Sequence, residues 1–258
     1  MRTAAPRRLL QHYAPAVLLA LLTLAVWETV ARLGLVPPFI LPAPSAICKA
    51  LLEERRLLFG VHLPATLLEV LTGFALSVIC GSLLGTAMHL FSPLAKALYP
   101  LLIISQTVPL IALSPLFIMW FGYTLWSKVA VVFLTAFFPV VIGTYDGLSK
   151  NTDAYRELLL TYGANRWQIL RKVGVPLALP SFFSGLKLSA VYCVIGATIG
   201  EWLGGSEGLG YFSRRMAGNL QTAKMFAAVV LLSILGILLF LAVAALEKFI
   251  LKKRGRYS

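Results

Sequence analysis

The chain has 258 residues, of which 59% are hydrophobic and only 13% charged. A soluble domain carries about 25% charged residues, so this composition excludes a water-soluble fold and makes lipid the solvent. The net charge of +13 fits basic residues flanking membrane spans against anionic headgroups. No basic stretch interleaves with aromatics as a nucleic-acid groove requires, so no nucleic-acid partner is expected. The three cysteines Cys48, Cys80 and Cys193 cannot pair completely, and two lie in apolar runs, where a thiol acts as a small hydrophobe.

A spanning helix needs about 20 mostly apolar residues. Six such stretches follow one another, over about 14–31, 63–91, 98–121, 126–145, 181–203 and 225–246. Arg2, Arg7 and Arg8 before the first apolar run imitate a signal peptide, but no small-residue cleavage site follows, so the first span reads as uncleaved. An even span number puts both termini on one side. More of the basic residues fall on that side, Arg7, Arg8, Lys150, Arg171 and Lys172 among them, so both ends are expected in the cytoplasm. Lys187, inside the fifth span, is expected to snorkel inward.

Between the first two spans, Pro37, Pro38, Pro42 and Pro44 break any helix. Ser45 is expected to cap a short interfacial helix to about Leu58 on the outer face. The second span carries Gly73, Ser77, Gly81 and Gly85, one small residue every fourth position. That spacing lets helices approach closely in lipid, either within the chain or against a second membrane subunit.

The third span contains Gln106, Pro109, Ser114 and Pro115. Its prolines free backbone carbonyls that lipid cannot satisfy. The fifth span has a slowly winding row of Gly185, Ser189, Cys193, Ala197 and Glu201. Gln106, Pro109, Ser114, Ser189 and Glu201 are therefore the candidates to line a pathway, against a simpler reading as packed, kinked helices. Glu28, Glu69 and Glu201 fall towards outer span ends, and Glu201 opens the glycine-rich stretch 201–210.

The segment 150–180 reads as helix, turn, helix on the cytoplasmic side. Thr152 or Asp153 can cap the first helix, and Gly163 can end it. Asn165 with Gln168 has capping-box spacing for the second, which Pro176 should stop, with Pro180 opening the next span. Leu158, Leu159, Tyr162, Trp167 and Leu170 give the loop apolar surface that calls for a protein partner.

Glu157, Gly163, Val173, Val175 and Pro176 have the spacing Glu-x5-Gly-x9-Val-x-Val-Pro. This resembles the EAA loop of membrane subunits of bacterial ATP-binding-cassette importers, with Leu158 and Leu159 in place of the two alanines. Residues 41–45, 109–121, 136–139 and 201–210 are similar to the nitrate, sulfonate, taurine and thiamine-precursor branch. Residues 120–123, 127–129, 145–147 and 200–202 are most similar to permeases for the thiamine-precursor pyrimidine, with riboflavin permeases also similar.

The resemblance implies one all-α transmembrane permease domain over 1–258. It implies a MetI-like importer permease fold of six helices with cytoplasmic coupling helices. Glu157, Leu158, Leu159, Gly163, Ala164, Val173 and Pro176 would form the loop that meets the ATPase. Two ATPase subunits, a second permease copy as a homodimer and an extracytoplasmic substrate-binding protein would be the partners, in an inner (plasma) membrane.

Other chemistries fit poorly. Residues 204–208 satisfy G-x-S-x-G, but Ser206 lies in a loop and His12, His62 and His89 are far apart, without metal-site spacing. No Gly-Lys dipeptide exists, so no Walker A motif is present. The chain is expected to bind no cofactor, and ATP-Mg would be hydrolysed by the partner. An ion-coupled secondary transporter would need inverted repeats and acids at span centres, neither of which the sequence displays.

Overall fold

The computed structural model describes residues 5–150 and 158–253, with side chains over 14–149 and 158–252. Glu157, Thr152 and Asp153 lie outside the described residues. The described chain is all helical. The helices are α1 (Ala5–Arg32), α2 (Pro44–Glu53), α3 (Arg55–Leu90), α4 (Ser92–Ser105), α5 (Leu110–Phe121), α6 (Leu125–Lys150), α7 (Arg166–Gly204), α8 (Leu209–Gly218) and α9 (Thr222–Lys253). Five are long and apolar enough to cross a membrane, namely α1, α3, α6, α7 and α9.

The third expected span is a broken pair. Helices α4 and α5 meet at 101°. Pro109 has no N–H to continue α4, and it disfavours helical backbone at Val108 before it. Tight turns from Gln106, Thr107 and Val108 back to Ile103, Ile104 and Ser105 close the first helix, and Pro109 starts the second.

Contacts along the helices fix their directions. Gly73 meets Val132, Gly81 meets Val140 and Gly85 meets Thr144, so α3 and α6 run parallel. Gly143 meets Gly185 while Gly196 meets Val132, so α7 runs antiparallel to α6. Lys187 pairs with Glu247 while Val194 faces Gly236, so α9 is antiparallel to α7. Two parallel helices joined in sequence require a return crossing, which the bent pair α4–α5 supplies. The core lies between α3, α6, α7 and α9 and includes Val70, Val132, Ala136, Cys193, Ala197 and Leu232.

The row Gly73, Ser77, Gly81 and Gly85 is thus an intrachain seam. A Cβ on Gly81 would sit 2.8 Å from Val140 Cβ, and one on Gly85 2.7 Å from Thr144 Cβ. Ser77 Oγ bonds the Gly73 carbonyl at 2.8 Å and the Phe133 carbonyl at 3.1 Å. Gly81→Leu should force the seam open at a cost of about 3 kcal/mol. A sharp fall in the yield and melting temperature of the purified protein is the expected result, and unchanged values would mean that the seam repacks freely.

Two π turns, Leu58–His62 and Leu170–Gly174, sit inside α3 and α7. Each ends two residues before a proline, Pro64 or Pro176. A proline ring clashes with the carbonyl four residues back, and a wider turn relieves that clash. Pro176 therefore does not stop a helix. The second loop helix runs unbroken into the fifth span, which starts at Arg166.

Ser45 does not cap α2. Pro44 occupies its first turn and Ala43 its cap position. The Ser45 N–H and hydroxyl instead donate to Glu28, at 3.0 and 2.7 Å, tying α2 to the end of α1. Lys187 has a partner inside the bundle: its ammonium lies 2.9 Å from the Glu247 carboxylate of α9.

Candidate functional site

Two constellations stand out, at opposite ends of the bundle. The first is the loop between α6 and α7. Residues 158–161 form one helical turn. Gly163 follows with φ +78°, a left-handed conformation cheap for glycine. Its N–H bonds the Leu160 carbonyl and that of Ala164 bonds Leu159, both at 3.0 Å. This is the Schellman pattern of a helix C-terminus.

Asn165 then starts α7 with a complete capping box. Its side chain accepts the Gln168 N–H at 2.8 Å, and the Gln168 side chain accepts the Asn165 N–H at 3.0 Å. The turn is therefore fixed from both sides by local bonds. Leu158, Tyr162 and Trp167 are exposed, at 54%, 80% and 64%, and Leu159 is half-buried. Ala164, Val173 and Pro176 are half-buried. Leu170, read from sequence as part of the exposed apolar surface, is instead buried against Leu148 and Ala178. The loop thus anchors itself to α6 and α7 on one side and presents large apolar side chains on the other.

The second constellation is a polar cluster buried at the far end, where α3, α6, α7 and α8 converge. Glu201 of α7 is wholly buried. It accepts the Thr66 hydroxyl of α3 at 2.6 Å, the Gly210 N–H, and the Tyr211 N–H at 3.3 Å. The last two belong to the first turn of α8, where free N–H groups and the helix dipole favour a carboxylate. Thr66 also accepts the Leu209 N–H at 2.8 Å, and His62 Nδ1 accepts the Gly208 N–H at 3.1 Å. A Cβ on Gly208 would overlap the Glu201 carboxylate, and φ there is +112°, so only glycine fits.

Beside this, Lys128 of α6 donates to Glu69 Oε1 at 2.7 Å, with both residues buried. Read from sequence, Glu69 lies towards an outer span end with no assigned partner. A signal was present: an acid and a lysine inside apolar helices both need a partner, and few other charges were available to supply one.

The remaining candidates divide. Gln106 and Pro109 are exposed at the α4–α5 break. Ser114 and Ser189 are buried, and Ser189 donates to the Ala136 carbonyl of α6 at 2.8 Å. Among the described residues no cluster of His, Cys, Asp or Glu could hold a metal ion.

Residues 77–252 match the family of binding-protein-dependent transport system inner membrane components. The chain belongs to this family. It is the membrane permease subunit of an ATP-binding-cassette importer, in a family whose ATP is used in a partner ATPase. The permease is 46% identical to the formylaminopyrimidine transport permease protein ThiX of Halalkalibacterium halodurans, over 92% of its length and 94% of the relative's. It is 34% identical to the riboflavin transport system permease protein RibX of Chloroflexus aurantiacus, over 90% and 87% of the two chains. It is 33% identical to the putative aliphatic sulfonates transport permease protein SsuC of Bacillus subtilis, over 98% and 92%. The fold of the permease matches a chain of the MetNI methionine transporter in an inward-facing form, with TM-score 0.64 and 20% identity, over 76% of this chain and 97% of that one. The MetI-like fold read from the sequence is thus the one found, in an inner-membrane protein.

Proposed function

We propose that the permease imports a formylaminopyrimidine-like thiamine-precursor pyrimidine. The observation that carries this reading is the 46% identity to ThiX over nearly both whole chains, against 33–34% for the riboflavin and sulfonate relatives. In this reading two copies of the chain form the pathway, two ATPase subunits dock on the loop, and a soluble binding protein delivers solute to the far end. Both termini and the loop face the cytoplasm, in keeping with the exposed Arg166, Arg171 and Lys172 at the loop end. The α4–α5 break, with Gln106 and Pro109 exposed, contributes polar surface to the pathway.

The exposed Leu158, Tyr162 and Trp167 enter the ATPase, and Gly163 sets the angle at which they do so. Closure of the ATPase dimer on ATP then moves α6 and α7 through the loop. Each solute-facing state is favoured by its own contacts, so ATP and solute bias the same switch.

The test is uptake into vesicles holding the permease, its ATPase and its binding protein. ATP-dependent uptake of labelled formylaminopyrimidine, unaffected by excess riboflavin or taurine, is expected. Uptake of riboflavin or a sulfonate in its place would overturn the substrate assignment and leave the importer assignment intact.

A further inference from the structure

The far-end cluster holds an oxygen without a donor. Glu69 is 1% exposed, and its Oε1 is satisfied by Lys128 at 2.7 Å. Its Oε2 is buried and receives no hydrogen bond from any described residue. A buried carboxylate oxygen left bare is costly, and such groups call for an explanation. The neighbour of Glu69 is another carboxyl: Glu201 lies within hydrogen-bonding reach of it.

The donors and charges can be counted. Glu201 already accepts three donors, Thr66 Oγ1 at one oxygen and the N–H groups of Gly210 and Tyr211 at the other. Every donor it holds prefers the carboxylate form. Glu69 has one donor for two oxygens. With both acids ionised, the buried cluster of Glu69, Glu201 and Lys128 carries a net charge of one negative unit, with two anions in contact. One added proton makes the cluster neutral and turns the repulsive contact into an O–H···O bond. The oxygen able to carry it without displacing a donor is Glu69 Oε2.

We propose that Glu69 and Glu201 form a proton-binding site, with one proton resident on Glu69 Oε2 and donated to Glu201. The other charged and titratable groups nearby leave that place open. Lys128 faces the opposite oxygen of Glu69. His62 is committed through Nδ1 to the Gly208 N–H, and its ring packs at a tilt beside those of Tyr211 and Phe212. Glu207 and Arg215 act on His62 from the α7–α8 turn and from α8. The consequence reaches α8, because the carboxylate that holds its N-terminus is the acceptor for this proton. The site does not depend on which solute is carried.

The sign of the pH effect follows by linkage. The folded protein holds a proton that an unfolded glutamate has already lost above about pH 4–5, so stability falls as pH rises beyond that range. The test uses the full permease purified with its ATPase. A carboxylic-acid C=O band in the infrared spectrum at neutral pH, absent from Glu69→Gln and lost from wild type at alkaline pH, is expected. Glutamine keeps the donor towards Glu201, so Glu69→Gln should melt within a few degrees of wild type at about pH 7 and lose less stability than wild type by about pH 10. Absence of the acid band in wild type would overturn the proposal and leave a water or a bare anion in its place. Parallel pH–melting curves for wild type and Glu69→Gln would overturn it equally. If Glu69→Gln fails to assemble, the wild-type band and its loss with pH still decide.

Discussion

Gly163→Val should abolish uptake while leaving the permease folded in the membrane. Gly163 is left-handed at φ +78°, and no described residue lies within 4 Å of where its Cβ would stand. The valine therefore clashes with none of them. The penalty is backbone strain alone, about 1–3 kcal/mol for a β-branched residue in that region. The chain can relieve the strain by giving up the bonds from Gly163 and Ala164 to Leu160 and Leu159. That would re-aim the turn carrying Leu158 and Tyr162 relative to Trp167, so the ATPase would lose its fit without loss of the bundle. Gly163→Asn should retain most activity, because asparagine tolerates the left-handed region. The checks are ATPase pull-down and vesicle uptake for both variants. Wild-type uptake by Gly163→Val would falsify the role given to this turn.

Glu201→Ala should have the largest effect on stability. It strips acceptors from the buried Thr66 hydroxyl, the buried Gly210 N–H and the part-buried Tyr211 N–H. Each stranded donor costs about 1–3 kcal/mol, so a loss of at least about 3 kcal/mol is expected. It also leaves Glu69 without its neighbour and the α8 N-terminus without its anion. The loss should be local at first, with α8 releasing from α3. Faster proteolysis within 204–210 and a lower melting temperature would report this. An unchanged melting curve would mean that water replaces the carboxylate at little cost.

The sequence disclosed the features whose chemistry is local. The Gly163 turn and the Asn165–Gln168 box need only residues within a few positions of one another. The small-residue row on α3 was visible for the same reason, although its partner was not. Pro109 and Pro115 marked a damaged span, but a proline does not state the angle it causes, and a bend of 101° depends on what the flanking helices pack against. The π turns were hidden because their only local mark is a proline two residues later, and such a proline is also how a helix begins. That ambiguity is why Pro176 reads from sequence as a stop. Glu69 with Lys128, Lys187 with Glu247 and Thr66 with Glu201 join residues far apart in the chain, and no periodicity connects them. An intramembrane charge signals that it has a partner, not which one.

The parallel packing of α3 on α6 also sets a schedule for biogenesis. Glu69 precedes its ammonium partner by 59 residues. Ribosomes add about 5–20 residues per second, so roughly 3–12 s pass before Lys128 is made, and α4 and α5 must be threaded back across the bilayer in that interval. Throughout it α3 has an acid and an empty glycine groove with nothing in the chain to cover either. The helix is therefore expected to linger beside the insertion machinery until α6 emerges. Substitutions that delay the return crossing should then send α3 to quality-control proteases even when the finished fold would tolerate them.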